Sequence, residues 1–139
     1  MPNWCNNRVE IYGESDQIKE VKKTLEGEET CFDFNNIVPM PKELEETTSP
    51  APEPDSFEAK RLRKQHGYDN WYDWCCDNWD TKWNSSDAML SEDGDGLEYE
   101  FQTAWGPPIK VIEAIREQYP DLSVTAFYDE PGMEMAGYY

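Results

Sequence analysis

The chain has 139 residues, of which 30 are acidic and 12 are basic, so its formal net charge at pH 7 is −18. A surface this negative repels nucleic-acid phosphates and anionic membranes and attracts basic protein surfaces. We therefore expect a basic protein partner and neither direct nucleic-acid binding nor membrane binding. Aromatic residues make up 14% of the chain, enough to build a core, so the composition predicts one folded domain over residues 1–139.

Targeting and cofactor signals are the next features that the sequence addresses. The start at Met1–Cys5 has neither the basic nor the apolar region of a signal peptide, and no apolar run reaches membrane-spanning length, so a cytoplasmic location is predicted. His66 is the only histidine, and the four cysteines contain no C-x-x-C pair. This spacing matches no standard zinc site, so we predict free thiols, no metal and no cofactor.

The first elements are a strand and a helix. Val9 and Ile11 alternate with polar residues inside Asn7–Tyr12, which predicts a half-buried strand. A helix follows, with Ser15 or Asp16 as its N-cap, Gly27 at its end and an apolar stripe of Ile18, Val21 and Leu25.

The middle of the chain is rich in proline and tryptophan. We expect irregular structure over Cys31–Pro41 and a solvated loop over Lys42–Asp55, because prolines interrupt both segments. Phe57–His66 predicts a short helix. A second helix follows, with Asp69 or Asn70 as its N-cap. Its apolar side is Trp71, Trp74, Cys75 and Trp79.

The second half repeats strand and helix patterns. Lys82–Leu90 is weakly strand-like, and Glu92–Gly96 contains Asp-Gly pairs that favour a tight hairpin. The clearest strand alternation is Leu97, Tyr99, Phe101, Thr103 and Trp105. Pro107 and Pro108 open a helix with Ile109, Ile112, Ile115 and Tyr119 on one face, and Ser123–Tyr128 predicts a last strand.

Without the middle segment, the order is strand-helix-strand-strand-helix-strand. This order predicts an α+β fold, the ferredoxin-like split β-α-β sandwich, with an antiparallel four-stranded sheet and two helices. The remaining segment, about residues 28–80, is a Trp-rich helical insertion between the first helix and the second strand.

Several motifs also resemble those of a known family. They occur in the same order as in that family and span almost the whole chain. They are Met1–Asn7, Phe32–Asn35 with Pro39–Pro41, Trp74–Cys75 through Thr81–Trp83, Thr103–Pro108 and Glu130–Gly132. These motifs resemble the YubB-like proteins, a family of unknown function carried largely by plasmids and phages. The resemblance implies a ferredoxin-like domain and supplies no catalytic residues. The Cys75–Cys76 pair, the Pro-rich stretch 49–54 and the end soon after Glu130–Gly132 depart from the family pattern.

The main functional hypothesis concerns the acidic residues. Carboxylates at i and i+4 on a helix lie about 6 Å apart, a spacing similar to that of successive phosphates along a nucleic-acid strand. The predicted partner-binding patch is Asp69, Asp73, Asp77 and Asp80, extended by Glu92, Asp93, Asp95, Glu98 and Glu100. With the origin that the resemblance implies, this patch predicts a non-enzymatic nucleic-acid mimic that inhibits a host defence or DNA-handling protein. The alternative from the same residues is that the acidity serves solubility alone.

A second hypothesis is a small enzyme or ligand-binding domain. Its site would be an aromatic cleft between the insertion and the sheet, lined by Trp4, Trp71, Trp79, Trp83 and Trp105. The competing interpretation is that these tryptophans form core, because aliphatic residues are scarce. No phosphate loop, nucleophile elbow or metal triad occurs, so we name no catalytic residue.

Overall fold

The computed structural model describes residues 3–139, so the first two residues of the Met1–Asn7 motif lie outside it. Five strands form one antiparallel sheet in the order β2-β3-β1-β4-β5. The strands are β1 Trp4–Tyr12, β2 Ser86–Asp93, β3 Gly96–Ala104, β4 Ser123–Glu130 and β5 Met135–Tyr138. The first four have the order of a ferredoxin-like sandwich, which confirms the predicted fold class.

Two helices pack on one face of this sheet, α1 (Ser15–Leu25) against β3 and α5 (Ile109–Gln118) against β4. The predicted stripe of α1 is confirmed, because Ile18, Val21 and Leu25 are buried. The predicted cap is wrong: the N-cap is Glu14, and its side chain makes no capping bond. In α5 the buried residues are Val111, Ile112 and Ile115, whereas Ile109 is exposed.

The segment between α1 and β2 is helical, as predicted for the insertion. It contains α2 (Lys42–Glu45), α3 (Phe57–His66) and α4 (Trp71–Asn78). A single 3-10 turn at Phe34–Asn36 and α2 were not predicted, because both are too short to show periodicity. Asn70 caps α4, as predicted, since its side chain accepts a hydrogen bond from the Asp73 backbone N–H.

Aromatic rings join the insertion to the sheet. Trp79 is 2% exposed, and its ring centroid lies 5.5 Å from that of Phe34. Phe34 in turn lies 5.9 Å from Phe101 of β3, and Phe32 stacks on Phe101 at 4.6 Å. One hydrophobic cluster therefore includes residues of the insertion, both sheet-covering helices and the sheet. For Trp74 and Trp79 the core interpretation is correct.

Two features of the sheet differ from the predictions. A fifth strand, β5, pairs with β4 in register from Phe127↔Tyr138 to Glu130↔Met135. Trp105 is not the last residue of a strand: it has φ +70° and is 55% exposed. The cause is that β3 pairs with β1 only as far as Ala104, opposite Trp4, after which the chain turns.

Two tyrosines, Tyr99 in the core and Tyr139 packed against it, differ in the bonding of their hydroxyls. The Tyr139 hydroxyl donates to Asn7 Oδ1 at 2.8 Å, and Asn7 Nδ2 donates to Thr103 Oγ1 at 2.9 Å. The Tyr99 hydroxyl is buried and, within residues 3–139, has no hydrogen-bond partner. Burial raises the pKa of both phenols above the ordinary tyrosine value.

Within the described residues, none of the helices has the length and apolar character needed to cross a membrane.

Candidate functional site

The acidic residues predicted on α4 are partly engaged inside the molecule. The Asp69 carboxylate lies 2.5 Å from Arg63 and accepts a bond from Asn70 Nδ2 at 2.7 Å. These bonds, that from Asn70 first, lower the pKa of Asp69. Asp69 is therefore a structural carboxylate with little charge free for a partner.

The end of α4 is bonded to the start of α5. Asp80 has φ +66°, and its carboxylate accepts a bond of 3.0 Å from the Lys110 backbone N–H. Lys110 Nζ donates to the Asp77 carbonyl oxygen, and the Asp77 carboxylate accepts a bond from the Tyr68 hydroxyl. Of the four acids predicted here, Asp73 and Asp77 are exposed and Asp80 is half-buried.

The remaining predicted acids lie elsewhere. Thr81 Oγ1 donates to the Ala104 carbonyl, so α4 ends beside the last residue of β3. Asp93 pairs with Gly96, the first residue of β3, at the hairpin with Asp95. Gly96 and Ala104, the two ends of β3, are eight residues apart. At about 3.4 Å per residue, the hairpin acids therefore lie roughly 27 Å from the end of α4.

The other three predicted acids are Glu92, Glu98 and Glu100. Glu92 has a cation beside it, and the other two lie on the far face of the sheet. Glu92 forms an ion pair of 2.6 Å with Lys22. Glu98 and Glu100 alternate with the buried Tyr99 and Phe101, so they lie on the sheet face opposite the helices. Glu98 lies 4.0 Å from Arg8 on that face. The structure thus does not bring the nine predicted carboxylates into one patch.

A different set of carboxylates surrounds a groove of about 1220 Å³, called here the acidic groove. It runs between the loop after α1, the 3-10 turn, α2 and the start of β2. Its lining contains six carboxylates and two lysines: Glu26, Glu28, Glu29, Asp33, Glu45 and Asp87, with Lys23 and Lys42. Within residues 3–139, none of these six carboxylates forms an ion pair.

Local structure explains how two of these carboxylates reach the groove. Asp87 has φ +52° and lies where the register between β2 and β3 shifts, so a bulge in an edge strand orients it. Asp33 accepts bonds from the Asn35 backbone N–H and from Asn84 Nδ2, at 3.0 and 2.8 Å. Gly27 allows Asp33 to approach, because a Cβ at residue 27 would lie 2.3 Å from its carboxylate.

An aromatic depression of about 370 Å³, called here the tryptophan depression, adjoins the acidic groove. It shares Asn35, Met40, Glu45 and Asn84 with the groove, and its other lining residues are Trp71, Cys75, Trp79, Lys82 and Trp83. Three of the five tryptophans of the predicted cleft therefore line it.

The other two tryptophans of the predicted cleft lie outside the lining. Trp4 is beside it, with its ring centroid 6.0 Å from that of Trp83. Trp105 does not line it: its backbone bends at φ +70°, and its side chain is exposed.

The cysteines are weakly acidic in this fold. Burial raises the pKa of Cys5 and of Cys75 to about 12, and it raises the pKa of Cys31 and Cys76 as well. At neutral pH all four are therefore protonated thiols, which are poor nucleophiles and poor metal ligands. Within residues 3–139, no three His, Cys, Asp or Glu residues are grouped so that they could hold a metal ion.

The acidic groove was not predicted from the sequence. Its carboxylates come from four separate segments, Glu26–Glu29, Asp33, Glu45 and Asp87. The signal that could have drawn attention to it is the Glu-rich loop after α1, whose residues Glu26, Glu28 and Glu29 have no basic neighbour within three positions except Lys23.

The sheet order and the helix placement define the class of protein, a ferredoxin-like α+β domain with an insertion after its first helix. Residues 78–139 match a family model described as "Ferredoxin-like domain in Api92-like protein". This stretch contains β2, β3, α5, β4 and β5.

One solved structure is similar over nearly the whole chain, the crystal structure of a protein api92 from Yersinia pseudotuberculosis. The TM-score is 0.64 at 10% sequence identity, and the similarity covers 99% of this chain and 93% of that one. At this identity the similarity shows the fold, which includes the insertion. None of the curated proteins compared matches the chain. The resemblance to YubB-like proteins and the origin on a mobile element stay predictions.

Proposed function

We propose that the protein is a non-enzymatic, acidic binding factor that docks a basic segment of a partner protein in the acidic groove. The observation that carries this proposal is the set of six groove carboxylates without an ion pair among the described residues. The resemblance noted above extends the proposal to a cytoplasmic factor of a plasmid or phage. In that setting the partner is a host defence or DNA-handling protein, and the acidic factor imitates nucleic acid.

Electrostatics favours a cationic partner at this groove. A net charge of −18 gives the folded chain a self-repulsion that a basic partner relieves. The relief is largest where carboxylates surround a concave surface, because low-dielectric walls focus their field there. Two lysines oppose six carboxylates in the lining, so the local field is negative. Charges of this kind raise association rates and select the sign of the partner.

The imitation of nucleic acid is supported by a smaller set of residues than the sequence indicated. Asp73 and Asp77 are one helical turn apart and exposed, which places their Cβ atoms about 5–6 Å apart. Asp69 and Asp80 are committed to Arg63 and to the start of α5. The groove carboxylates are therefore the larger part of the surface that competes with nucleic acid.

The test measures where a basic probe binds. The probe is a fluorescently labelled decapeptide of alternating arginine and serine, and binding to the full chain is followed by anisotropy. The groove variant is Glu26→Gln/Glu28→Gln/Glu29→Gln. The matched control is Glu113→Gln/Glu117→Gln/Asp121→Asn, three exposed acids on or after α5. Each triple variant removes three negative charges, from −18 to −15.

We expect the groove variant to bind about tenfold more weakly and the control variant to bind within about twofold of the unmodified chain. Exposed charge pairs contribute about 0.2–1 kcal/mol each, and three of them amount to about one decade in Kd. Binding should weaken steeply between roughly 50 and 300 mM salt. Equal weakening in both variants would overturn the proposal, since it would show attraction by net charge alone.

Nucleic-acid imitation is tested with the same peptide bound to a short duplex DNA. The unmodified chain should displace the DNA from the peptide, and the groove variant should need about tenfold more protein to do so. An Asp73→Asn/Asp77→Asn variant measures how much the two α4 carboxylates contribute to displacing the DNA. Simultaneous binding of the peptide to both DNA and the chain would contradict imitation and leave the docking proposal intact.

A further inference from the structure

The tryptophan depression contains an aromatic face that already holds a cation. Lys82 Nζ lies 4.2 Å from the centroid of the Trp83 ring, inside the range of a cation–π contact. Trp83 is 40% exposed, so solvent and solutes reach this ring. The lysine belongs to the same chain, and its ammonium group marks where a positive group is stable in the depression.

The surroundings of that ring select the charge of an occupant. Glu45 lines both the depression and the acidic groove, so a carboxylate stands where the two meet. The two share four lining residues, so a side chain that branches from a segment in the groove lies next to the depression. An anionic group would meet the negative field of the groove carboxylates.

The floor and one wall of the depression are held by hydrogen bonds. Trp79 Nε1 donates to the Val38 carbonyl at 2.8 Å, which fixes the floor. The Trp71 backbone N–H donates to Thr47 Oγ1 at 2.9 Å, which fixes the first residue of α4. Asn84 donates to Asp33 and accepts from the Phe34 backbone N–H. A depression held in this way needs little ordering when an occupant enters.

We infer that the tryptophan depression receives one arginine side chain of the basic segment, with its guanidinium stacked on Trp83 in place of the Lys82 ammonium. This inference rests on the proposed function and names the anchor residue of the partner. A guanidinium is favoured over an ammonium because it is planar, stacks on aromatic rings and is less strongly hydrated. The volume of about 370 Å³ accommodates one long side chain and its solvent.

The experiment uses the alternating arginine and serine decapeptide and a second peptide with citrulline in place of arginine. Trp83→Ala removes the ring without changing any charge, and Trp83→Phe keeps an aromatic face. Trp105→Ala is the matched control, an exposed tryptophan that does not line the depression. Trp83→Ala should weaken binding of the arginine peptide about 3- to 10-fold, as expected for a cation–π contact. Trp83→Phe should recover most of that loss, and Trp105→Ala should bind like the unmodified chain.

The outcomes distinguish the arginine anchor at Trp83 from the proposal that a basic segment docks in the acidic groove. If the groove variant weakens binding while Trp83→Ala does not, the anchor is refuted and the docking proposal stands. If neither weakens binding beyond its control, both fail. Binding of the citrulline peptide with equal affinity also refutes the anchor.

A second measurement does not depend on the stability of Trp83→Ala. The indole N–H resonance that disappears in Trp83→Phe should shift when the unmodified chain is titrated with N-acetyl-arginine methylamide. A resonance that stays unshifted while other indole signals move would overturn the inference.

Discussion

Two hydroxyl removals, one from the core residue Tyr99 and one from Tyr139 packed against the core, should change stability in opposite directions. Tyr99→Phe removes a buried hydroxyl that has no hydrogen-bond partner within residues 3–139. Tyr139→Phe removes a hydroxyl that donates to Asn7 Oδ1 at 2.8 Å. The chemical change is the same in both variants, so the sign of each effect reports whether the hydroxyl is hydrogen-bonded.

The magnitudes follow from the two environments. An unpaired buried hydroxyl costs about 1–3 kcal/mol, so its removal should raise the free energy of unfolding by about 1 kcal/mol. Tyr139→Phe loses a bond and leaves the oxygen of Asn7, which is 3% exposed, without that donor. We expect a loss of about 1–3 kcal/mol. For a chain of this size, about 1 kcal/mol corresponds to about 4 °C in Tm.

The assay is thermal unfolding followed by circular dichroism, with the free energy checked by urea titration. Tyr12→Phe, an exposed tyrosine on β1, controls for loss of a phenol at the surface and should leave Tm within about 1 °C, as is usual for surface substitutions. A fall in Tm for Tyr99→Phe as large as that for Tyr139→Phe would refute the reasoning. It would mean that the Tyr99 hydroxyl is hydrogen-bonded in solution.

Two further predictions concern protons. Because the folded-state pKa of Asp69 is lowered, its stabilisation should be complete above about pH 5 and should disappear as the pH falls through that lowered pKa. The Tm gap between the unmodified chain and Asp69→Asn should thus close on acidification, and a gap that stays constant down to about pH 2 would contradict the assignment. At pH 8, iodoacetamide should modify Cys76 before Cys75, which is 1% exposed and has a pKa of about 12. Peptide mass spectrometry measures the order, unfolded protein should show equal rates, and faster modification of Cys75 in the folded chain would be the contrary result.

Elements with a clear hydrophobic period could be predicted from the sequence. The i, i+3, i+7 stripe of α1 and the alternation over 97–103 each determine which residues are buried, and the structure buries them. The ferredoxin-like order follows from these elements, because few topologies connect them without crossing.

Elements that depend on distant pairing could not be predicted. β5 is four residues long, contains Gly137 and lacks an alternation of apolar and polar residues. It is a strand because β4 offers an unpaired edge, which is a tertiary condition. Trp105 fits the alternation of β3, but its strand ends where the partner strand begins at Trp4.

The predicted acidic patch shows the same limit at the level of the site. The spacing correctly placed Asp73 and Asp77 on one helix, but Asp69 lies before α4, since Asn70 is the N-cap. It could not show that Arg63 neutralises Asp69. Nor could it show that carboxylates without an ion pair, from positions as distant as Glu26 and Asp87, lie around one groove.

The bonds between Asp80 and Lys110 affect how the molecule opens. Asp80 adopts a left-handed backbone conformation, which costs a non-glycine residue about 1 kcal/mol or more, and its carboxylate satisfies an N–H in the first turn of α5. Lys110 returns a bond from its side chain to the last turn of α4. Fraying of either helix end therefore breaks the contacts of the other. We expect the two ends to exchange their amide protons as one local unit, because the same two hydrogen bonds join them.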